Sequence, residues 1–433
     1  MKGDARADAL AVLTACRRKG LWLDAALRAQ LKNTDRRQAA LCSWLCYTVA
    51  QNRRYLDFLI AKQSRLPLHK IQPQVLDCLR LGLCQLWASN SIPPSAAVNE
   101  TVKAIRASAG ARAAGFANAL LRAFANTEVW PEPPRQPPEQ YHSIRYNLPV
   151  WMVERFQSLL GGQTEDFFAS VNRQPPLTLQ FNPAKTNGAA LRKELEAQGL
   201  EPQDHPLWPH CLQVENAAGL DGWPCWTSGA VWVADVAAAL AVQAAGAGPG
   251  MRVLDACAAP GGKTLLLASA MEGRGHITAC DIHDHKLEAL RHTVERAGET
   301  CVEVCRQDAL SFQPQWAQRF DLVFCDLPCS GLGVMAKKPD IRDKTAEQAA
   351  ALPDIQKSML ANLGRYTKPG GRLLYATCTL LPEENEDVAR HFTRQNPDFQ
   401  PKTQEAGQDW QTTLWPHLHN TDGFYFALWE KSL

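Results

Sequence analysis

Two cysteines lie where predicted strands end, and they are the first sign of chemistry in this sequence. Cys329 follows the predicted strand 322–326, and Cys378 closes the predicted strand 372–378. Ligands of open α/β sheets bind at the carboxyl ends of strands, so thiols at adjacent strand ends are expected to face one cleft. A cysteine taken alone is more commonly a small core residue. It is the pairing that favours a reactive role.

The chemistry that such a pair suits is methylation at a pyrimidine carbon. Carbon 5 of cytosine is a poor nucleophile until a thiolate adds at C6 and gives the ring enamine character. Asp326 ends the same strand that leads to Cys329, where its carboxylate can hydrogen-bond the N3/N4 edge of the base and favour that addition. The pattern predicts a thiol nucleophile assisted by a carboxylate.

A glycine-rich segment, 255–264, follows another predicted strand and opens a helix, which lets a ligand approach the backbone closely. A P-loop needs glycine where Cys257 stands, and the dinucleotide pattern G-x-G-x-x-G is absent. Asp281, 19 residues after Gly262, suits ribose hydroxyls, and Asp308 suits an adenine edge. These residues fit a nucleoside cofactor without pyrophosphate, of which S-adenosylmethionine is the common one. A plain strand–helix connection is the alternative.

The elements that must position these residues begin near residue 250. Short apolar strands alternate there with helical stretches, which predicts a parallel sheet covered on both faces, an α/β domain of Rossmann-like type. The predicted strands are 252–255, 277–281, 302–304, 322–326, 372–378 and 424–429. The acidic residues and Cys378 fall at or just past their carboxyl ends.

The first 126 residues show helical spacing of apolar side chains and predict an all-helical domain. One helix is predicted to begin at Asn99 after the breaker 91–94, and another to carry Phe116 and Phe124. The stretch holds 19 Lys and Arg against seven Asp and Glu, a net charge of +12, whereas the whole chain carries +2. A basic domain beside an acidic one indicates that the basic domain binds a polyanion, a role called the grip below. A solvated helical surface is the alternative.

Prolines mark the boundary behind the helical domain. The stretch 131–138 holds five prolines and predicts a stiff linker, so the first domain is placed at 1–140 with its linker at 127–140. A small α+β domain is predicted at 141–235, and the sheet domain takes 236–433. Within the small domain the pattern predicts a helix at 151–160, a strand at 177–181 and a helix at 188–198.

The composition, with 45% hydrophobic and 21% charged residues, is that of a globular protein. The fourteen cysteines are spread along the chain without a secretion signal, which favours free thiols, and their spacing does not match a zinc site. No apolar run reaches the roughly 18 residues of a membrane span. We therefore expect a cytoplasmic protein with no metal and no membrane attachment.

The motifs resemble those of the RNA cytosine-5 methyltransferases of the Sun/Fmu/RsmB type, and the resemblance runs over nearly the whole chain. The matching segments are Cys257-Ala258-Ala259-Pro260-Gly261-Gly262-Lys263, Asp326-Leu327-Pro328-Cys329-Ser330-Gly331-Leu332-Gly333, Pro339-Asp340-Ile341 and Thr377-Cys378. The helical front is similar to the NusB-type RNA-binding domain through 98–100 and 115–122. The resemblance implies an all-α NusB-like domain joined to a Rossmann-like methyltransferase domain that uses S-adenosyl-L-methionine.

The resemblance also implies a role for each matching residue. The family cysteine matching Cys378 attacks the base, and the one matching Cys329 assists release of the product. The family positions that hold the cofactor match Cys257, Ala258, Ala259, Pro260, Gly261, Gly262, Lys263, Asp281, Asp308 and Asp326. The implied substrate is small-subunit (16S) ribosomal RNA before assembly, although a transfer RNA target stays open. We expect a monomer whose helical domain, together with Lys337 and Lys338, holds an RNA hairpin.

Three sites depart from the family pattern while every reacting group is present. Leu327 stands where alanine is usual, Ala234-Asp235 where Gln-Asp is expected, and Lys337-Lys338 where arginine is common. Two other functions are weighed against methylation of a base carbon. One is a binding-only assembly or antitermination factor, against which the pair of thiols argues. The other is an amino-group methyltransferase, which typically has an Asn-Pro-Pro-aromatic turn where 326–329 stands.

Overall fold

The computed structural model describes residues 4–215, 217, 219–403 and 409–433, and contacts divide the chain into two compact units. The first unit contains the chain up to Asn172 together with Lys338–Asp343. The second contains Arg173–Lys337 and Lys344–Leu433. Each unit has its own buried apolar core. Within the described ranges, each helix is too short or too polar to cross a bilayer.

The regular elements described in the first unit are helices, which confirms the all-helical prediction for the front of the chain. They are α1 (Ala5–Lys19), α2 (Leu23–Leu31), α3 (Arg36–Gln63), α4 (Pro73–Ala88), α5 (Pro94–Phe124), α6 (Pro138–Arg145), α7 (Val150–Leu160) and α8 (Thr164–Asn172). The predicted start of α5 at Asn99 is wrong, because Pro94 occupies the first turn, where its missing N–H is not needed. The two helices predicted here meet at Gly110, whose φ of 85° is not helical, so α5 consists of two helical stretches separated by a kink.

A segment far along the chain, Pro339–Asp343, completes the first unit. The guanidinium of Arg342 is buried and donates hydrogen bonds to the carbonyl oxygens of Tyr146 and Val171, both at 2.6 Å. Burial lowers the pKa of Arg342 to about 9. Asp340 accepts a hydrogen bond from the first backbone amide of α2 at 2.9 Å. The motif at 339–341 is therefore fixed inside the helical unit.

The second unit begins with a small antiparallel sheet of strand order β2-β3-β1-β4. Its elements are β1 (Leu177–Phe181), α9 (Gly188–Glu196), β2 (Gln203–His205), β3 (Trp208–Val214), α10 (Pro224–Thr227) and β4 (Val231–Val233). The strand predicted at 177–181 is confirmed. The helix predicted at 188–198 is confirmed as well, although it ends two residues earlier.

A larger sheet with helices on its faces makes up the rest of the second unit. The elements are α11 (Val236–Ala245), β5 (Arg252–Asp255), α12 (Gly262–Ala270), β6 (His276–Asp281), α13 (Asp284–Ala297), β7 (Val302–Arg306), β8 (Phe320–Asp326), α14 (Ala346–Ala350), α15 (Leu352–Gly364), β9 (Thr367–Thr377), α16 (Glu386–Gln395), β10 (Phe399–Pro401), β11 (Gln411–Leu414), α17 (Pro416–His419) and β12 (Phe424–Lys431). Strands β5 to β9 run parallel, and β12 lies antiparallel to β9. The predicted Rossmann-like α/β fold is confirmed.

The order of this sheet, β10-β12-β9-β8-β5-β6-β7 with β11 paired to β12, reverses beside β5. Strands β6 and β7 follow on one side of β5, whereas β8 and β9 lie on the other. The loops after β5 and β8 therefore leave the sheet in opposite directions and open a crevice between them.

Helix α13 joins the small sheet to the large one. Arg296 donates hydrogen bonds to the carbonyl oxygens of Trp226 and Val231 at 2.8 and 2.9 Å, and its guanidinium lies 3.7 Å from the Trp226 ring. A side chain at Gly229 would come within 2.0 Å of the Arg296 carbonyl oxygen. Glycine is therefore required for the backbones to approach this closely.

Candidate active site

Cys329 and Cys378 lie side by side at the carboxyl ends of β8 and β9. These two strands pair in parallel, with Asp326 opposite Ala376, and β9 ends at Thr377. The two Sγ atoms are 3.4 Å apart, and both side chains are half-buried. The structure thus brings the two thiols of the sequence analysis into one place.

The surroundings of the two sulfur atoms differ. The hydrogen bond with Cys378 and burial raise the pKa of the Cys329 thiol well above its ordinary value. The ammonium of Lys263, by contrast, lies close enough to Cys378 to interact with its charge. A neighbouring cation and an S–H donor both stabilise a thiolate. Cys329 is therefore the thiol that holds its proton more tightly, and Cys378 is the sulfur that lies near a cation.

The loop after β5 carries the glycine-rich segment, and α12 begins at Gly262. The amide of Ala258 donates to the carbonyl oxygen of Cys280 at 2.7 Å, which ties the loop to β6. Gly261 has φ 109°, a conformation that favours glycine. A side chain on Gly262 would lie 3.1 Å from the carbonyl oxygen of Val233. Backbone conformation and packing thus require these glycines, in addition to the ligand approach that the sequence suggested.

Asp281 and Asp308 follow the next two strands, β6 and β7. Oδ1 of Asp281 accepts a hydrogen bond from the amide of His283 at 3.1 Å, and Oδ1 of Asp308 accepts one from the amide of Leu310 at 2.9 Å. An exposed apolar side chain stands close to each in sequence, with Ile282 42% and Leu310 50% exposed. A carboxylate can accept hydrogen bonds from hydroxyl groups, and an exposed apolar side chain beside it can pack against the face of a flat base.

Lys263 and Asp326 form an ion pair that links the glycine loop to the end of β8, with Nζ 2.6 Å from Oδ2. Burial alone would lower the pKa of the Lys263 ammonium, but the charge and hydrogen bond of Asp326 raise it above its usual range. The same Nζ lies 5.7 Å from the centre of the Phe424 ring. Both residues belong to the predicted site, but the sequence does not predict their contact.

Asp255 is a fully buried carboxyl at the end of β5. Its Oδ2 accepts a hydrogen bond from the Thr264 hydroxyl at 2.7 Å, whereas Oδ1 has no hydrogen-bond partner. Burial raises the pKa of this carboxyl to about 7. A cation bound nearby would favour its ionised form.

Lys337 is held by two carboxylates within the second unit. Its Nζ lies 2.6 Å from Oδ2 of Asp235 and 2.8 Å from Oδ2 of Asp422, and the amide of Asp422 donates to Asp235 at 2.9 Å. Burial and the charge of Asp235 raise the pKa of Asp422 to about 6. The structure does not support the expected RNA contact of Lys337, because its ammonium is already paired. Lys338 is exposed and belongs to the first unit.

The family departures at Leu327 and Ala234 fit their surroundings. Leu327 is 2% exposed and packs in the apolar cluster on one face of the large sheet, and its amide donates to the Ala376 carbonyl oxygen at 3.0 Å. The carbonyl oxygen of Ala234 accepts a hydrogen bond from Gln180 Nε2 at 3.0 Å. Neither departure removes a group from the pair of thiols.

Sequence reasoning missed Glu384 and Asn385, two buried polar residues in the turn between β9 and α16. Their side chains hydrogen-bond to residues that adjoin Cys329 and Cys378 in sequence. The available signal was the cluster Pro382-Glu383-Glu384-Asn385 soon after Cys378. Such a cluster is typical of a solvated turn, so its burial depends on packing that the sequence does not display.

The fold and this site together define a methyltransferase that depends on S-adenosylmethionine. The family model described as 16S rRNA methyltransferase RsmB/F matches residues 244–430, the NusB family model matches 3–126, and a RsmF/B-like ferredoxin-like domain model matches 148–221. Ribosomal RNA small subunit methyltransferase B of Xanthomonas campestris pv. campestris is 31% identical over 439 residues, which cover 99% of this chain and 97% of that one. The chain belongs to the RsmB/F family of 16S rRNA methyltransferases.

Solved structures agree with this assignment. The crystal structure of PH0851 superposes with a TM-score of 0.83 at 26% identity and covers 100% of both chains. The structure of NSun6 from Pyrococcus horikoshii with SFG has the same fold over 66% of this chain and 98% of its own, with a TM-score of 0.59 at 20% identity. By its family matches the chain is an S-adenosylmethionine-dependent RNA methyltransferase with a NusB-like front, and the solved structures share its fold. The predicted family, cofactor and RNA methyl transfer are confirmed.

The residues present fit S-adenosylmethionine. Asp281 and Asp308 offer carboxylates to hydroxyl and amino groups, and Ile282 and Leu310 offer apolar surface to an adenine.

Proposed function

We propose that this enzyme transfers the methyl group to C5 of a specific cytosine in 16S ribosomal RNA through a covalent bond between Cys378 Sγ and C6. The observation that carries the proposal is the pair of sulfur atoms 3.4 Å apart, close to the Lys263–Asp326 ion pair. Carbon 5 needs a nucleophile at C6 before it can take a methyl group. One stabilised sulfur and one protonated sulfur supply the groups for addition and for release.

In the proposed addition, Cys378 Sγ bonds to C6 and the ring electrons move toward C5. Asp326 accepts a hydrogen bond from the N3/N4 edge of the base, and Lys263 holds the Asp326 carboxylate in place. When bound, S-adenosylmethionine supplies a methyl group on a positively charged sulfur. We assign its binding to Cys257, Ala258, Ala259, Pro260, Gly261, Gly262, Lys263, Asp281, Asp308 and Asp326.

Release reverses the addition. The C5 proton leaves to water, the electron pair of the C5–H bond restores the C5–C6 double bond, and the electron pair of the S–C6 bond returns to Cys378. Cys329 donates its S–H to the departing sulfur over the 3.4 Å that separates the two atoms. The products are methylated RNA and the free Cys378 thiolate.

Replacing Cys378 by alanine tests the addition step. We expect Cys378→Ala to lose methyl transfer to 16S ribosomal RNA while it binds the cofactor as tightly as the unchanged enzyme does. Cys16→Ala, a half-buried cysteine of α1 in the first unit, is the matched control and should retain full turnover. Turnover by Cys378→Ala would refute the covalent mechanism.

Cys329→Ala tests the release step. Methyl transfer should proceed once, after which the enzyme stays bonded to the RNA because the departing sulfur has lost its S–H donor. A denaturing gel with labelled RNA should show a retarded band that digestion of the protein removes. Normal release of RNA by this variant would remove the role given to Cys329.

We propose a division of labour along the chain, with 1–140 gripping RNA, 141–235 linking and 236–433 carrying the reaction. The matches at 3–126, 148–221 and 244–430 support these ranges, since each falls within one of them. The basic side chains of Lys103, Arg106, Arg112 and Arg122 are exposed along α5, which suits a phosphate backbone.

We further propose that the enzyme acts as a monomer on 16S ribosomal RNA before assembly, and therefore in the cytoplasm. Sedimentation of the enzyme with and without RNA tests the monomer. Methylation of protein-free RNA compared with assembled small subunits tests the form of the substrate. Faster reaction of assembled subunits would contradict the proposal, and methylation of transfer RNA at equal rate would contradict the choice of 16S RNA.

A further inference from the structure

We propose that Glu384 and Asn385 form a bracket that holds the loops of Cys329 and Cys378 at their working distance, and that Glu384 is a positioning residue for product release. The bracket is defined as the side chains of these two adjacent residues. This inference rests on the proposed function, because it assigns different steps to the two halves of the bracket.

Asn385 holds the nucleophile from both sides. Its Oδ1 accepts a hydrogen bond from the Thr377 hydroxyl at 2.6 Å, and its Nδ2 donates to the carbonyl oxygen of Thr379 at 3.0 Å. Thr377 and Thr379 flank Cys378 in sequence. Asn385 is 1% exposed, so these hydrogen bonds are shielded from water. The backbone that carries Cys378 is therefore fixed immediately before and after the reacting sulfur.

Glu384 holds the second loop in the same way. Its Oε2 accepts hydrogen bonds from the amide of Ser330 at 2.8 Å and from Gln356 Nε2 at 2.9 Å. Gln356 Nε2 also donates to the carbonyl oxygen of Pro328 at 3.0 Å. Pro328 and Ser330 flank Cys329. Glu384 is fully buried. Its hydrogen bonds, directly to Ser330 and through Gln356 to Pro328, hold the backbone on both sides of Cys329.

A direct contact ties the two loops to each other. The hydroxyl oxygens of Ser330 and Thr379 lie 2.6 Å apart. Each of these residues immediately follows one of the two cysteines. The loops, the two bracket residues and this contact form a closed ring of hydrogen bonds, so the backbones that carry the two cysteines cannot move apart without breaking one of them.

The negative charge of Glu384 affects Cys329 in addition to making these hydrogen bonds. A glutamine oxygen could accept from the same two donors, and burying a carboxylate whose Oε1 has no hydrogen-bond partner is costly. The charge acts on Cys329, where it disfavours loss of the thiol proton. Cys329 thereby keeps the S–H that the departing sulfur needs.

Other charged and titratable groups around Cys329 also influence how readily its thiol loses the proton. The charged and titratable groups that act on it or on its loop are Cys378, Glu384, Asp326, Tyr375 and Lys344. Asp326 acts in the same direction as Glu384. The Lys344 ammonium donates to the carbonyl oxygen of Ser330 at 2.6 Å and acts in the opposite direction. Removing the charge of Glu384 should therefore make Cys329 more acidic without removing the other influences.

Glu384→Gln separates the charge from the shape. We expect single-turnover methyl transfer within about two-fold of the unchanged enzyme, while RNA release begins to fail at a lower pH than in the unchanged enzyme. At pH 8.5 the covalent adduct on a denaturing gel should exceed that of the unchanged enzyme, because a larger fraction of Cys329 has then lost its proton. Glu383→Gln, an exposed neighbour in the same turn, is the matched control and should leave the release profile unchanged.

Two further variants complete the test. Glu384→Asp keeps the charge and should retain the pH profile of release, which a merely structural role of the side chain would not predict. Asn385→Ala should slow the methyl transfer step itself and leave little adduct, because it loosens the loop of Cys378.

Release by Glu384→Gln at the same rate as the unchanged enzyme across pH 6 to 9 would overturn the proposal. Should Glu384→Gln fail to fold, a shifted release profile in Glu384→Asp would overturn it instead. Failure of the proposed function looks different, because Cys378→Ala would then still turn over.

Discussion

Replacing Lys337 by methionine should destabilise the second unit by removing the cation that two carboxylates share. In the unchanged protein Nζ lies 2.6 Å from Asp235 and 2.8 Å from Asp422. The variant leaves both carboxylates facing each other with the methylene chain largely retained. The loss therefore reports the charge rather than the packing.

The size of the effect follows from burial. Removing one partner of a buried ion pair costs about 3–5 kcal/mol in unfolding free energy. The carboxylate side chains are 14% exposed but that of Lys337 is 32% exposed, so part of the charge is already solvated. We expect about 3 kcal/mol at pH 7.5, at the lower end of that range.

The direction in which the stability changes with pH follows from the pKa of Asp422. The pKa of Asp422 is raised to about 6 by burial and by Asp235, so its contribution to stability is present at low pH and is lost as pH rises through that value. Without Lys337 this pKa should rise further, and the loss of stability on ionisation should grow. The deficit of Lys337→Met should thus be larger at pH 8 than at pH 5.

Urea unfolding of the full chain at both pH values measures this deficit, and the double variant Lys337→Met/Asp422→Asn supplies the control. The double variant should recover part of the stability, because neutralising Asp422 removes the repulsion. An equal deficit at the two pH values, or a change below about 0.5 kcal/mol, would show that Lys337 does not stabilise the two carboxylates. A lower salt dependence of RNA binding in Lys337→Met would instead restore the RNA contact expected from sequence.

Three other predictions concern single features. Asp255→Asn should abolish a decline in stability between pH 4 and pH 7, because the pKa of Asp255 is about 7 in the folded protein and near 3.8 in the unfolded chain. Thermal melting measured against pH checks this, and an unchanged decline would contradict it. Arg106→Gln/Arg112→Gln should lower the slope of log affinity for RNA against log salt by about 2, measured by filter binding, and an unchanged slope would exclude α5 from the grip. Gly333→Ala should lower the free energy of unfolding in urea by about 1–3 kcal/mol and reduce methyl transfer. The added Cβ would lie 1.9 Å from the Gly423 carbonyl oxygen, and the Gly333 amide donates to the Cys378 carbonyl oxygen at 2.9 Å. Full activity and stability would show that the loop can shift freely.

The sequence was a good guide wherever a local pattern determines structure. Six of the eight strands of the large sheet could be predicted because buried strands read as short apolar runs, and the acids that end several of them locate the carboxyl edge. Asp281 and Asp326 were placed at strand ends for this reason. The start of α5 was mistaken because Pro94 can both break a chain and begin a helix, and the pattern does not distinguish the two.

Contacts between distant segments could not be predicted in this way. Lys337 is 102 residues from Asp235 and 85 from Asp422, and a lysine in a loop usually points to solvent. Glu384 lies 54 residues from Ser330. Periodicity describes which face of an element is buried, but it does not describe which polar group in another segment will meet a buried carboxylate.

The distance between the two sulfur atoms is set at two levels. Strand register supplies the coarse one, because β8 and β9 pair with Asp326 opposite Ala376, and a slip of one residue would move a cysteine by about 3.3 Å and turn it to the other face. Register alone does not fix the loops beyond the strand ends. The bracket of Glu384 and Asn385 supplies the fine level, since it acts on those loops directly. A change in the bracket should therefore alter the reaction well before it alters the fold.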